Sequence, residues 1–374
     1  IGRILGCSAD ELIFTGSGTE SDNMAVLGVP RNYASRGKHV ITSAIEHHAV
    51  LTAAEHLQKE GFEVTFLPVD VYGMVSPDAV VAAIRPDTTL ISIMLANNEI
   101  GTIEPIAAIA KVVREWKAAN GRKVTDAPFL HTDACQAAGA LELDVKKLGI
   151  DLLTINGSKI YGPKGTGALY IRRGVKLQPL VFGGGQEQRM RSGTENVAGL
   201  VGFATAFAMV DAARVSESAR LSALRDHLIA GIQERISKVV LNGHPTERLP
   251  NNVNVSILDI EGEAMLLYLD DVGIAAATGS ACDSQSLDPS HVILALGRPY
   301  EYAHASIRFS LGRSTTAEDI AYVLDVLPDI VEKLRKISPV HLDMDAGKTV
   351  GSGGAQGIVS AFAGQGRPHW ESKK

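Results

Sequence analysis

Between residues 11 and 171, short apolar runs alternate with stretches of helical periodicity, and this alternation limits the fold more tightly than any other feature. The runs at 11–15, 39–44, 63–69, 88–96, 129–132, 150–155 and 168–171 have strand length. Between them lie apolar-periodic segments near 24–29, from 46 to about 58, over 78–84 and over 106–119. Strands joined through helices pair in parallel. The spacing therefore predicts an α/β chain with a mostly parallel central sheet and flanking helices. In such sheets a ligand sits at the carboxyl ends of the strands.

The residues at those ends are chemically unusual. Gly16-Ser17-Gly18-Thr19-Glu20-Ser21 follows the first run and opens a helix. Backbone N–H groups and the positive end of the helix dipole make an anion cradle there, and Thr19 adds a hydroxyl; a plain capping turn would look the same. Glu46-His47-His48 closes the second run, where one imidazole can reach a ligand. Asn97-Asn98-Glu99-Ile100-Gly101 closes the fourth, as ligand-orienting amides or as simple turn residues. His131-Thr132-Asp133-Ala134-Cys135-Gln136 closes the fifth, where Asp133 reads equally as a buried paired carboxylate or a helix cap. Thr154–Gly167 closes the sixth with four glycines, a proline and two lysines. A lysine such as Lys159, at a strand end under apolar neighbours, should lose water, and desolvation makes its amine a nucleophile suited to a Schiff base with an aldehyde cofactor; a surface turn with solvated lysines is the competing reading, and the one an isolated lysine favours. A nucleotide P-loop does not fit, because Pro163-Lys164 replaces the Gly-Lys-Ser/Thr ending. Zinc at His47, His48, His131 and Asp133 fits poorly, because no helical i, i+4 pair is present.

Beyond residue 171 the pattern changes. Residues 182–187 and 191–195 read as a flexible polar connector, and 197–236 as a long helix broken near 215–218. Short strands at 238–241, 253–257 and 306–311, with helices at 261–269, 290–296 and 317–337, predict a smaller α+β domain. The expected division is a large domain over 1–203, a small C-terminal domain over 204–340 and a flexible Gly/Ser-rich tail over 341–374. Cys282 lies among small polar residues, a composition that leaves a thiol reachable, although the neighbouring Asp283 disfavours the thiolate. The net charge of −6 argues against direct nucleic-acid binding, and no apolar run reads as long enough for a membrane. Three separated cysteines fit a reducing, cytoplasmic compartment. The start, Ile1-Gly2-Arg3, reads as the inside of a longer protein whose N-terminal segment is missing.

Several blocks in order resemble one family: 18–23, Glu46-His47, 97–101, 133–136, 158–165, 191–194, 279–282 and 306–313. Over residues 1 to about 340 the chain resembles cysteine desulfurases, NifS- and IscS-like, of the class V aminotransferase superfamily of fold-type I pyridoxal-phosphate enzymes. The resemblance implies pyridoxal 5'-phosphate as cofactor and L-cysteine as substrate. It implies that Lys159 holds the cofactor and moves protons, that Asp133 pairs with the ring nitrogen and that His47 stacks on the ring. Asn98 and Gln136 would contact the ring side. Gly18, Thr19 and Ser158, with Asn156 beside them, would serve the phosphate. Thr194 would reach the cofactor of a second subunit, which implies a homodimer. Arg308, with Asn98, would bind the substrate carboxylate, and Cys282 would take the sulfur as a persulfide for a sulfur-acceptor protein, an iron–sulfur scaffold or a tRNA-thiolation relay. Asn156 and Ser158 stand where many relatives carry Ser and His. A selenocysteine lyase, another class V aminotransferase and an inactive binding partner are the competing expectations.

Overall fold

Strands β1 (Leu12–Thr15), β2 (His39–Ser43), β3 (Glu63–Leu67), β4 (Thr88–Ser92), β5 (Phe129–Asp133), β6 (Leu152–Asn156) and β7 (Gly167–Ile171) form one sheet in the order β1-β7-β6-β5-β4-β2-β3. The computed structural model describes residues 1–278 and 289–338. From β3 to β6 every pairing is parallel. β7 runs antiparallel to both β6 and β1, because the turn between β6 and β7 is too short for a crossover helix. β1 therefore points the same way as the parallel set, and every carboxyl end except that of β7 lies along one edge.

Helices α1 (Gly2–Leu5), α2 (Gly18–Tyr33), α3 (His48–Lys59), α4 (Pro77–Ala83), α5 (Ile106–Ala119) and α6 (Val145–Leu148) accompany this sheet. Neighbouring strand residues divide between two cores. Val40, Leu90, Phe129 and Leu152 pack with Met24 of α2 and Val50 of α3. Ile41, Ile91, Leu130 and Leu153 pack with Ile106, Ile109 and Val113 of α5. A sheet buried on both faces has continuous apolar strands rather than alternating ones, which is how these runs read.

The chain continues through α7 (Val197–Arg235), β8 (Val239–Leu241), β9 (Asn252–Ile257), α8 (Gly262–Asp271), α9 (His291–Ala295), α10 (Tyr300–His304), β10 (Ser306–Ser310) and α11 (Ala317–Ile337). The strands make a second, antiparallel sheet in the order β10-β9-β8. Its core joins Val253, Val255, Ile307 and Phe309 to Leu228 and Ile232 of α7, Met265 of α8 and Leu324 and Leu327 of α11. A reciprocal box between Thr316 and Asp319 starts α11.

Three expectations need correction. α7 is continuous rather than broken near 215–218. Ser216 Oγ donates to the Ala213 carbonyl and Ser218 Oγ to the Ala140 carbonyl, each at 3.1 Å, so both hydroxyls are satisfied without interrupting the helix. α7 is also long and apolar enough to cross a membrane by length and composition; its alanines, valines and glycines are spread too evenly to stand out as one run. The connector over 182–195 is pinned rather than free. Glu187 Oε2 accepts from the Phe14 N–H at 2.8 Å, and Arg191 pairs with Glu20 at 2.7 Å. The position between residues 203 and 204 falls inside α7, which sends Phe203 and Phe207 into the large-sheet core and Leu228 and Ile232 into the small-sheet core. Cys282 and the tail from 341 lie outside the described residues.

Candidate active site

The carboxyl edge of the large sheet gathers the candidate residues. Ser17 caps α2 by accepting from the Glu20 N–H at 3.1 Å, so Gly18 and Thr19 supply the first, uncommitted N–H groups of the helix. A Cβ on Gly18 would sit 2.7 Å from Cys135 Sγ and 3.2 Å from Asn156 Nδ2. The start of α2 is therefore pressed against the ends of β5 and β6, and only glycine fits there. Asp133, buried at the end of β5, accepts from the Cys135 N–H through Oδ1 at 2.9 Å. His47 caps α3, its Nδ1 accepting from the Ala49 N–H at 3.1 Å. That bond places the proton of the neutral ring on Nε2. Lys159 follows β6, with its N–H donating to Asn156 Oδ1 at 3.3 Å. The turn closes on itself, the Gly162 N–H donating to the Gly157 carbonyl at 2.9 Å.

Electrostatics tie these groups together. Burial pushes the His47 imidazole below its usual value; the Asp133 carboxylate pulls it back up, while His48 and Lys159 push it further down. Behind Asp133 lies Asp22, fully buried. Burial first, and then the charge of Asp133, hold its carboxyl well above the usual range. His131 is spent on structure. Its Nδ1 pairs with Ser92 Oγ at 2.8 Å and its Nε2 with Thr154 Oγ1 at 3.1 Å, and burial pushes it down to about 3.

The second sheet reaches the same edge. Arg308 of β10 donates from Nη1 to the Asn98 carbonyl at 2.8 Å, and its Nε is buried without a partner. Its backbone pairs with Ala277, the Arg308 N–H donating at 2.6 Å and the Ala277 N–H returning a bond at 3.0 Å. A guanidinium with an open donor, held at the rim of the sheet, is suited to a planar carboxylate.

The remaining candidates are less enclosed. Gln136 and Asn156 are half-buried, and Thr19, Ser158 and Thr194 are exposed. Lys159 is exposed too, against the expectation of a desolvated amine. Of its short turn only Ile160 is buried, because the turn projects past the end of β6. The two described cysteines are poor nucleophiles. Burial pushes the Cys7 thiol up to about 11 and the Cys135 thiol well above its usual value. Asp22, Glu46 and Glu99, which have no role in the sequence pattern, are buried acidic residues at this edge. Each lies inside a block that also carries a candidate ligand residue, which is the one signal that marked them.

An aldehyde cofactor with an anionic tail and a basic ring nitrogen fits this set. The Lys159 amine suits the aldehyde, the α2 amides suit the anion and Asp133 suits the nitrogen, and glycine at 18 lets the start of α2 pack close to the ends of β5 and β6.

A sequence model of the family described as aminotransferase class-V matches residues 1–323. Over 339 residues the chain is 52% identical to "Cysteine desulfurase IscS" of Dictyoglomus turgidum, covering 91% of this chain and 84% of that one. It is 54% identical over 336 residues to "Cysteine desulfurase IscS" of Methanosarcina thermophila, covering 90% and 80%. Among solved structures, a "NIFS-LIKE PROTEIN" superposes with a TM-score of 0.81 at 34% identity, over 89% of this chain and 86% of that one. DndA from Streptomyces lividans superposes with a TM-score of 0.70 at 38% identity, over 83% and 85%.

Proposed function

This chain belongs to the class-V aminotransferase family, and on that premise we propose that it is a cysteine desulfurase, converting L-cysteine to L-alanine and mobilising sulfur for iron–sulfur cluster assembly. The observation that carries the reading is the meeting of Gly18, His47, Asp133 and Lys159 at one sheet edge, with Arg308 of the second sheet bonded to Asn98 beside them.

Pyridoxal phosphate, when bound, supplies an electron sink for the pair left on the substrate's α-carbon. The protein's residues do the rest. The α2 amides at Gly18 and Thr19, with Ser158 and Asn156, hold the phosphate. His47 stacks on the ring, and Gln136 and Asn98 flank it. Asp133 keeps a proton on the ring nitrogen. The Lys159 amine fixes the aldehyde and then takes the α-proton. Arg308 binds the substrate carboxylate and so orients the Cα–H and Cβ–S bonds. The Cys282 thiolate attacks the substrate sulfur. The Cβ–S bond breaks with its electron pair left on carbon; protonation gives alanine, and the sulfur stays on Cys282 as a persulfide. A sulfur-acceptor protein then removes it. Thr194 completes the phosphate site of a second copy in a homodimer, and a reducing, cytoplasmic location suits the thiol chemistry.

Incubation with L-cysteine and pyridoxal phosphate should yield L-alanine and add one sulfur mass to the peptide containing Cys282. Cys282→Ala should abolish both sulfur transfer and turnover. Turnover that persists in that variant would point to an aminotransferase instead, and a parent protein that makes no alanine would remove the reading.

A further inference from the structure

Glu99 is 6% exposed and sits between the two sheets. Its N–H donates to Asn97 Oδ1 at 2.8 Å. Its carbonyl accepts from Asn252 Nδ2 and Asn254 Nδ2, both at 3.0 Å. Asn254 is the register partner of Arg308 across β9 and β10. The Ser290 hydroxyl accepts from the Ile293 N–H at 3.2 Å, so its one proton goes to Glu99 Oε2. The charged group that acts on this carboxylate is the Arg308 guanidinium. Arg248 faces the same turn; its Nη2 goes to the carbonyls of Ile100 and Asn242, and its Nε and Nη1 are buried without hydrogen-bond partners. His291, next to Ser290, is turned to the Glu46 carbonyl at 3.0 Å. Among the described residues, the hydrogen-bond partners of Glu99 are the side chains of Asn97, Asn252, Asn254 and Ser290.

We propose that Glu99 is a positioning residue that carries the counter-charge of Arg308 in the empty site and takes up a proton from solvent when a substrate carboxylate docks on that guanidinium. The proposal rests on the reading of Arg308 as the carboxylate clamp. The guanidinium donates to the Asn98 carbonyl, one residue from Glu99, so a docked carboxylate and Glu99 share its charge in a poorly hydrated site; they repel each other, and the cheapest relief is protonation of the one that is already buried. Burial lifts the Glu99 carboxyl to about 7, so little work is needed. Linkage makes the effect reciprocal: ionised Glu99 weakens carboxylate binding by the factor by which the bound carboxylate strengthens proton binding. The proton leaves again with the product.

Glu99→Gln keeps an acceptor for Ser290 and imitates a permanently protonated Glu99. On the holoenzyme, the KM for L-cysteine is compared between parent and variant across pH; taking the ratio cancels every other titrating group. The parent-to-variant KM ratio should be about one near pH 6 and rise to roughly tenfold near pH 8.5, with kcat changing less. Ser290→Ala removes a bond that favours the ionised form, so the rise should move to higher pH. A ratio that does not vary with pH, or a Ser290→Ala profile that does not move, overturns the proposal. If Glu99→Gln does not fold, the Ser290→Ala profile alone decides. An active parent with a flat ratio sinks this inference only, whereas a parent inactive at every pH sinks the desulfurase reading and this inference with it.

Discussion

At Glu46 the fold encloses a carboxyl that burial pushes up to about 8, even though Ser43 Oγ and the Met94 N–H both donate to it. Its Oε2 is buried without a partner, so the neutral acid is the form the site tolerates. The ordinary value is 4.5, so the folded chain keeps a proton that the unfolded chain releases as pH rises from there. Stability therefore falls between about pH 4.5 and 8. Glu104, lifted to about 8, and Glu99, lifted to about 7, add to the same slope. His131 and His291 act on the acid side. Burial lowers them from 6.5 to about 3 and about 4, so stability is lost as pH falls below 6.5 and the unfolded chain takes up protons that the folded one refuses. Glu46→Gln should be close to neutral near pH 4.5 and increasingly stabilising toward pH 8, by a gain on the order of a few kcal/mol at the upper end. Thermal melts of both proteins across that range check it. A gain that stayed flat with pH would place the effect in packing rather than in the proton.

Among the elements, the turn that carries Lys159 shows what a sequence can and cannot say. Its glycines and proline mark backbone in close approach, and the structure shows where. A Cβ on Gly157 would lie 2.3 Å from Thr166 Oγ1 and 2.9 Å from the Pro163 carbonyl. Tyr161 adopts a left-handed backbone at φ 62, and its hydroxyl accepts from the Arg313 N–H at 3.1 Å, fastening the turn to the chain just past β10. Gly157→Ala should cost about 1–3 kcal/mol of stability and lower the fraction of protein showing the visible absorbance of lysine-bound cofactor. Spectra that matched the parent would show that the turn yields without moving Lys159. The strands were legible because both sheet faces are apolar, and the placement of His47, Asn98, Asp133 and Lys159 followed from the runs they terminate. The exposure of Lys159 was not legible, because local apolar neighbours say nothing of how far a turn projects. Nor was the continuity of α7, since Ser218 finds its acceptor in Ala140, distant in sequence. α1 and α10, at 4 and 5 residues, are too short to show a period. Nothing local marks Asp22, Glu46 and Glu99 as buried, because it is tertiary packing that closes over them.

For the whole molecule, α7 poses the unsolved packing problem. One side is spent: Phe203 and Phe207 fill the large-sheet core, and a Cβ on Gly202 would lie 2.7 Å from Pro163 Cγ in the Lys159 turn. The other side is apolar and open, with Val197 64%, Val201 61% and Met209 56% exposed, and Phe182 is 76% exposed in the connector ahead of it. A bilayer is a poor occupant for that side. The helix is anchored by its inner face in a protein core, and Asp211 and Arg214 form an ion pair on it at 3.3 Å. A second copy is the occupant that fits. It would bury the open side of α7, and Thr194, exposed just ahead of that helix, would move with it toward a neighbouring site. It would also offer cover to the exposed Lys159. Each apolar side chain buried this way contributes roughly 1.5–3 kcal/mol, so replacing Val201 and Met209 together by Glu should weaken association by at least about a hundredfold. Sedimentation at micromolar concentration should show a dimer for the parent and a monomer for Val201→Glu/Met209→Glu. The monomer should keep its helical circular dichroism but, on the role proposed for Thr194, bind pyridoxal phosphate more weakly. A parent that sediments as a monomer while holding a full complement of cofactor would show that each chain builds its site alone and that the open side of α7 serves some other contact.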